Sequence, residues 1–418
     1  MTDIIRWDYL DKIAPFVDKP IIKILTGMRR VGKSTILKEI AEVLLRGIPR
    51  ENILFFNFEA LELLQIRDSS SFKHLLNTKI KPISGKVYFF FDEIQNICNW
   101  EEVVNGLQVE LDCDIYLTGS NSTMLSGDLA TLLAGRYVNF EIQPFKFKEF
   151  VELYKSKTEQ NKLHTGESKE QSEAQLLIKD ELFLKFVNLG GMPAIKYFNF
   201  EEEASYKYLT DVYNTVLVKD VMSYRQIRDV DLFNRILLFV MDNIGQTFSA
   251  NSIKKFLKSE GRTVSPETVL NYLDFCQEAF LIKKASRYDT VGKKILRVDE
   301  KYYLNDHGFR QAKGFSNARD IEQTLENIVF MELNSRGYDV RIGKVHNREI
   351  DFIALKQGKP AYFQVTYLLA GEETIAREFG VYEEVNDNFP KYVLSMDKLD
   401  FSQNGIEHKN IIDFLLEE

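Results

Sequence analysis

Cysteine is scarce, with three in 418 residues, Cys98, Cys113 and Cys276, far apart in the chain. An odd, scattered set fits neither a disulfide framework nor a zinc site, so buried thiols in a reducing compartment are expected. Long apolar runs are missing as well; none approaches the length of about 20 residues that crosses a bilayer. The opening residues, Met1-Thr2-Asp3-Ile4-Ile5-Arg6-Trp7-Asp8, lack the basic patch and apolar stretch of a secretory leader. A cytoplasmic location with no membrane partner is the expectation. Nor is there an excess of basic residues. The net charge of −8 gives the whole molecule no pull toward nucleic acid, although a local basic face remains open. With 44 % apolar and 28 % charged residues, the balance is that of a soluble globular protein, and the length predicts two or three domains.

What is present starts with Gly27-Met28-Arg29-Arg30-Val31-Gly32-Lys33-Ser34-Thr35. An apolar run from Ile21 to Leu25 precedes it and reads as a buried parallel strand. The apolar spacing from Ile36 to Ala41 that follows is helical. Two glycines, a lysine and a hydroxyl at this spacing suit a polyphosphate. Gly27 and Gly32 permit backbone conformations that turn successive N–H groups inward, and the helix start adds partial positive charge. Lys33 reaches the phosphates and Ser34 offers its hydroxyl to Mg²⁺. A second run, Lys86 to Phe91, is β-prone and ends in Asp92-Glu93. Asp92 suits the Mg²⁺ shell, and Glu93 suits a base or orienter for an attacking water. A third strand, Cys113 to Asn121, ends in small polar residues, where a sensor of the terminal phosphate belongs. Arg136, in Leu133-Ala134-Gly135-Arg136-Tyr137, is either an arginine offered to a neighbouring subunit or a surface cation.

Strand and helix alternate from residue 1 to 154, which predicts an α/β fold, a parallel sheet of the P-loop NTPase type with its ligand at the strands' carboxyl ends. Residues 155–175 are polar and read as a flexible insertion. Helical periodicity over 176–245, broken at Gly190-Gly191-Met192-Pro193, predicts a helical lid. Over 246–304 two capped helices, one with Ser265 as cap and Pro266 first, precede two strands around Val291-Gly292-Lys293-Lys294. That order predicts a winged helix-turn-helix. Eleven basic residues face seven acids between Asn251 and Lys301, and Lys283, Lys284, Lys293 and Lys294 are the candidate DNA contacts. The last unit, 318–418, opens with a helix bearing Glu326, followed by strands bearing Asp351 and Gln364. An acid on a helix and polar groups on two strands can converge on one divalent cation, as in nucleases of the restriction-endonuclease type.

The chain resembles a family of prokaryotic P-loop ATPases of the AAA superfamily, of the extended AAA-ATPase class. Members carry a winged helix and a C-terminal domain of unknown function with a restriction-endonuclease-like core. The resemblance covers essentially the whole chain. It rests on GMRRVGKST, FFFDEIQ, LTGSNS, LLAGRY with QPFKFKEF, GGMP, KYYLNDHG, Glu326-Asn327, and REIDFIA followed by FQVTY. It implies that the loop from Gly27 through Arg29, Arg30, Val31 and Gly32 to Thr35 cradles ATP, with Lys33 and Ser34 on phosphate and Mg²⁺. It also implies Asp92 as metal holder, Glu93 as the residue polarising water, Asn121 as sensor, Arg136 as an arginine acting in trans, and assembly as a homo-oligomer. The nuclease pattern D…(E/Q)-x-K is incomplete, because Thr366 stands at the lysine position. Glu326, Asp351 and Gln364 therefore read as a degenerate site, since a cation is lost where transition-state charge would need it.

The leading expectation is an ATP-hydrolysing switch or motor acting on DNA or a protein partner. Two others stand beside it: an ATP-liganded DNA-binding regulator or defence sensor with little turnover, and an ATP-gated nuclease.

Overall fold

The computed structural model describes residues 4–120, 135–165, 173–222, 225, 227, 229–247, 250–259, 261–289 and 294–417. They fall into two compact units, Met1–Gln143 with Glu278–Phe280, and Pro144–Gln277 with Leu281–Glu418.

The first unit is built on five parallel strands, β1 Ile22–Thr26, β2 Ile53–Asn57, β3 Val87–Asp92, β4 Cys113–Gly119 and β5 Tyr137–Glu141, in the order β2-β3-β4-β1-β5. Every residue of β1 and β3 is buried, as a sheet covered on both faces requires. Phenylalanines along β3 and just after β2 supply much of the core: Phe58 and Phe91 both meet Phe72 of the helix Ser69–Ile80 edge to face. Register aligns the carboxyl ends. Thr26 pairs with Gly119 on one side and Glu141 on the other, Phe91 pairs with Leu117, and Asn57 pairs with Asp92. The loop after β1, the acids ending β3 and Ser120 after β4 thus lie along one sheet edge.

One residue of β1 departs from the apolar pattern. Lys23 is fully buried and paired with the equally buried Asp114 of β4. The other Asp114 oxygen accepts from Tyr116 Oη (2.9 Å) and from the Asp18 N–H (2.9 Å). This network sits toward the amino end of the sheet and ties β1 to β4, the two strands that carry the loop and Ser120.

The second unit joins helices to a seven-stranded mixed sheet. Its strands are β6 Ile282–Asp289, β7 Lys294–Leu304, β8 Asp339–Val345, β9 Arg348–Lys356, β10 Lys359–Val365, β11 Lys391–Ser395 and β12 Glu407–Asn410, in the order β12-β11-β10-β9-β8-β6-β7. Three sequence-based boundaries need correction. The first compact unit ends at Gln143, before 154, because Phe147 and Phe150 pack on Phe183 and Phe186 of the second unit. The polar stretch 155–175 is not one loop: the helix Phe147–Thr165 runs through its first half and another starts at Glu173. Lys, Glu and Gln are good helix formers, so polarity alone did not mark a break.

The third correction concerns the expected winged helix. Its two helices, Ala250–Ser259 and Pro266–Glu278, and its hairpin, β6 and β7, are present in order. The Ser265 hydroxyl accepts from the Thr268 N–H, as a cap does. The hairpin does not stand apart, however. β6 pairs in parallel with β8 through Arg287–Asp289, and Tyr303 of β7 stacks on Phe330 at 4.1 Å. The segments read as 246–304 and 318–418 therefore share one sheet and one core. The helix expected near 121–134 lies outside the described residues. Among those described, no helix is long and apolar enough to cross a membrane.

Candidate functional site

The loop after β1 owes its shape to backbone conformations that side chains resist. Gly27 has φ 140° and Gly32 φ 98°. At Gly27 a Cβ would lie 2.2 Å from the Ile142 carbonyl oxygen, so space as well as torsion demands glycine there. The helix Lys33–Glu39 starts directly after Gly32. Lys33 is 4 % exposed, and its Nζ donates to the Gly27 and Met28 carbonyls at 2.9 and 3.1 Å. The ammonium is thereby threaded beneath the loop.

Across the edge, Asp92 is 1 % exposed. One of its oxygens accepts from Ser34 Oγ (3.0 Å) and from Thr118 Oγ1 (2.7 Å). Thr118 Oγ1 also accepts from the Glu93 N–H at 2.8 Å, so a single hydroxyl fixes both acids at the end of β3. Glu93 itself adopts φ 56°, a left-handed turn that redirects the chain at the strand's end. Burial pushes the Asp92 carboxyl above the usual carboxylate range; the Thr118 and Ser34 hydrogen bonds and Lys33 oppose that shift, while Glu93 adds to it. A buried carboxylate sharing a hydroxyl with the first turn of a helix is a hard oxygen pair, which fits Mg²⁺. Further along, Gln95 Nε2 donates to Glu93 and, at 3.4 Å, to Ser120 Oγ. Arg29 bridges from the loop to Glu59 (3.1 Å) and Ser120 Oγ (3.5 Å). The structure thus brings Gly27, Arg29, Gly32, Lys33, Ser34, Asp92 and Glu93 to one edge.

Two expected residues of this site stand otherwise. Asn121 lies outside the described residues. The exposed Arg136, beside β5, donates to Asn105 of its own chain at 2.9 Å.

In the second unit Glu326, Asp351 and Gln364 also converge. They line a cavity of about 760 Å³ together with Glu349, Arg377 and Glu378. Gln364 Oε1 accepts from the Asp351 N–H (2.7 Å), its Nε2 donates to Glu378 (2.8 Å), and Asp351 accepts from the Val365 N–H (2.8 Å). Lys301, 5 % exposed, reaches into this group and pairs with Glu326 at 2.9 Å and Glu349 at 2.8 Å. Burial works against its charge, but Glu326, Asp351 and Glu349 outweigh that and hold its pKa above the ordinary lysine value. Burial, and then Glu326, push the Asp351 carboxyl well upward. Among the described residues no group of three or more His, Cys, Asp or Glu side chains is arranged to hold a metal ion.

Residues 19–151 match the family model described as AAA domain, and residues 180–319 match one described as a domain of unknown function, DUF8612. An uncharacterized protein of Haemophilus influenzae is 35 % identical over 414 residues, covering 99 % of this chain and 98 % of that protein. The chain belongs to that protein's family, and it carries an AAA domain. An uncharacterized protein of Methanocaldococcus jannaschii is similar too, 29 % identical over 399 residues, 94 % of this chain and 85 % of that protein. A solved structure, the Walker-type ATPase of Pyrococcus abyssi, resembles the chain with TM-score 0.49 at 15 % identity, over 73 % of this chain and 94 % of that one.

Lys33, Ser34, Asp92 and Glu93 thus stand together at the carboxyl ends of the AAA domain's strands. Thr118 and Gln95 were missed as partners of the acids, although both lie inside quoted motifs, LTGSNS and FFFDEIQ. The basic hairpin is less free than its composition implies. Lys301 is buried among acids, Lys284 pairs with Glu300 at 3.4 Å, and Arg287 pairs with Glu349 at 3.2 Å. Lys293 lies outside the described residues, as does the Lys294 side chain. The GGMP and KYYLNDHG motifs turn out to meet. Asp306 accepts from the N–H groups of Gly191 (2.9 Å) and Gly308 (2.8 Å), and burial pushes its carboxyl up to about 7. A Cβ at Gly190 would lie 2.0 Å from Asp306 Oδ1.

Proposed function

We propose that this chain binds and hydrolyses Mg·ATP and works as a switch or motor on a DNA or protein partner, through the segments beyond its AAA domain. The observation that carries the reading is the Ser34–Asp92–Thr118–Glu93 connection beside a glycine-built loop with Lys33 threaded beneath it. In this reading the loop N–H groups and Lys33 hold the phosphates, and Ser34 and Asp92 hold Mg²⁺. When bound, the ion neutralises charge that develops on the phosphate oxygens. Glu93 orients a water and accepts its proton as the water oxygen bonds to the γ-phosphorus. The bond to the β–γ bridging oxygen breaks, and ADP leaves with that electron pair. Arg29 and Arg30 flank the phosphates. Asn121 acts as sensor, and Arg136 serves the site of a neighbour in a homo-oligomer.

The pairing of Lys284, Arg287 and Lys301 supports a protein partner over DNA at the hairpin, because paired cations release few counterions on meeting a phosphate backbone. Lys301 also supports a cavity without nuclease activity. Its ammonium already balances the acids that a divalent cation would occupy, and Thr366 stands where the nuclease pattern has its lysine. Lys33→Ala tests the nucleotide reading by calorimetry. Loss of ATP binding is expected; affinity equal to that of the wild type would defeat the assignment.

A further inference from the structure

Gln95 carries a hydrogen-bonding deficit that packing does not explain. Its Nε2 lies on the Glu93 carboxylate and on Ser120 Oγ, while its Oε1 is buried and has no hydrogen-bond partner among the described residues. A buried amide half satisfied is costly, and groups held at such cost concentrate where chemistry needs them. A leucine would fill the same volume without that cost, so Gln95 is a poor choice for stability alone.

Its placement says what the choice achieves. Glu93 is gripped at two points, its N–H by Thr118 and its carboxylate by Gln95. Without Gln95 the backbone would stay fixed while the carboxylate turned about its side-chain torsions. Ser120 Oγ, which accepts from Gln95, accepts also from Arg29 of the phosphate loop, and Arg29 in turn pairs with Glu59. A continuous polar path therefore runs Glu59–Arg29–Ser120–Gln95–Glu93. Arg29 on this path lies in the loop that holds phosphate, and its far end is the group that meets water.

We propose that Gln95 is a positioning residue for the hydrolytic step: it fixes the Glu93 carboxylate and, through Ser120 and Arg29, couples it to the phosphate loop. The inference rests on the hydrolysis reading given above. Arg29 is drawn toward phosphate when nucleotide binds, its hold on Ser120 changes, and the Gln95–Glu93 contact adjusts with it.

The test is steady-state ATP hydrolysis by wild type, Glu93→Gln, Gln95→Leu and Gln95→Glu, with ATP affinity and melting temperature measured on each. Misplacing a catalytic group by about 1 Å can cost on the order of a hundredfold in rate. Gln95→Leu is therefore expected to lower kcat by about tenfold to a hundredfold, with KM for ATP within about twofold and no loss of melting temperature. Gln95→Glu replaces the donor on the Glu93 carboxylate with a like charge, so kcat is expected to fall at least as far, again with KM for ATP within about twofold. A merely structural role would not lower kcat while KM and melting temperature stay unchanged. In the Glu93→Gln background Gln95→Leu should cause no further loss. Wild-type kcat in Gln95→Leu, with Glu93→Gln inactive, would overturn this inference and leave the hydrolysis reading standing. Absence of turnover in the wild type would remove both. Should Gln95→Leu fail to fold, kcat of Gln95→Glu decides, and a wild-type value counts against the proposal.

Discussion

Replacing Asp114 by asparagine probes the charge buried under the phosphate-loop strand. Lys23 and Asp114 are both fully buried, and the ammonium also donates to the Lys19 carbonyl at 3.3 Å. Burial lowers the Lys23 pKa, and the Asp114 carboxylate is the main influence restoring its charge. Asp114→Asn keeps the volume and an acceptor for Tyr116 but leaves the ammonium without a counter-charge. Breaking a buried pair in this way costs about 3–5 kcal/mol. In a unit of this size that lowers the melting temperature by on the order of 10 °C. Adding Lys23→Met removes the stranded charge, so the double variant should recover about half of the loss, a coupling that a double-mutant cycle reads directly. The assay is thermal or urea unfolding of all four proteins. Melting of Asp114→Asn within a degree of the wild type, or a double variant no more stable than the single, would refute the reasoning.

Other perturbations have equally definite outcomes. Gly27→Ala places a Cβ 2.2 Å from Ile142 O at φ 140°, so it should cost about 1–3 kcal/mol and weaken ATP binding. Gly47→Ala, at φ 104° with nothing within 4 Å, should leave binding intact, as calorimetry on the pair would show. Lys301→Met strips Glu326 and Asp351 of their cation and leaves Glu349 with Arg287. The variant should melt well below the wild type near pH 8, and the gap should narrow as the pH falls and the Asp351 carboxyl, held upward by burial, takes up a proton. Asp306 holds its proton up to about pH 7 when folded but only to the ordinary carboxylate range when unfolded. Folding therefore binds a proton in that window, and this contribution to stability falls as the pH rises from about 4 to 7. Melting of Asp306→Asn against pH should be flatter than that of the wild type; parallel curves would refute the assignment.

How far the sequence could be read follows from where each residue finds its partners. The phosphate loop was legible because its determinants are local: Gly27, Gly32, Lys33 and Ser34 lie within eight residues, and the flanking periodicities name the strand and helix. Asp92 and Glu93 were legible because a β-prone run ended on them. Lys23 passed as one polar interruption in an apolar strand, since its partner stands 91 residues away across the sheet. Lys301 was counted with the basic hairpin for the same reason; the acids that claim it lie 25 and 48 positions further on, at Glu326 and Glu349. The hairpin itself was foreseen but its neighbour was not, because β6 meets β8 through a crossover no local pattern encodes. Composition misled over 155–165, where charged residues that favour helix were read as loop.

Steady-state ATP hydrolysis by the wild type and by Glu93→Gln, each with and without duplex DNA, tests the central claim most directly. The geometry around Asp92, Thr118 and Glu93 predicts Mg²⁺-dependent turnover in the wild type and its loss in Glu93→Gln, with ATP still bound by both. Equal turnover in the two proteins, or ATP bound by the wild type and never hydrolysed, would contradict it.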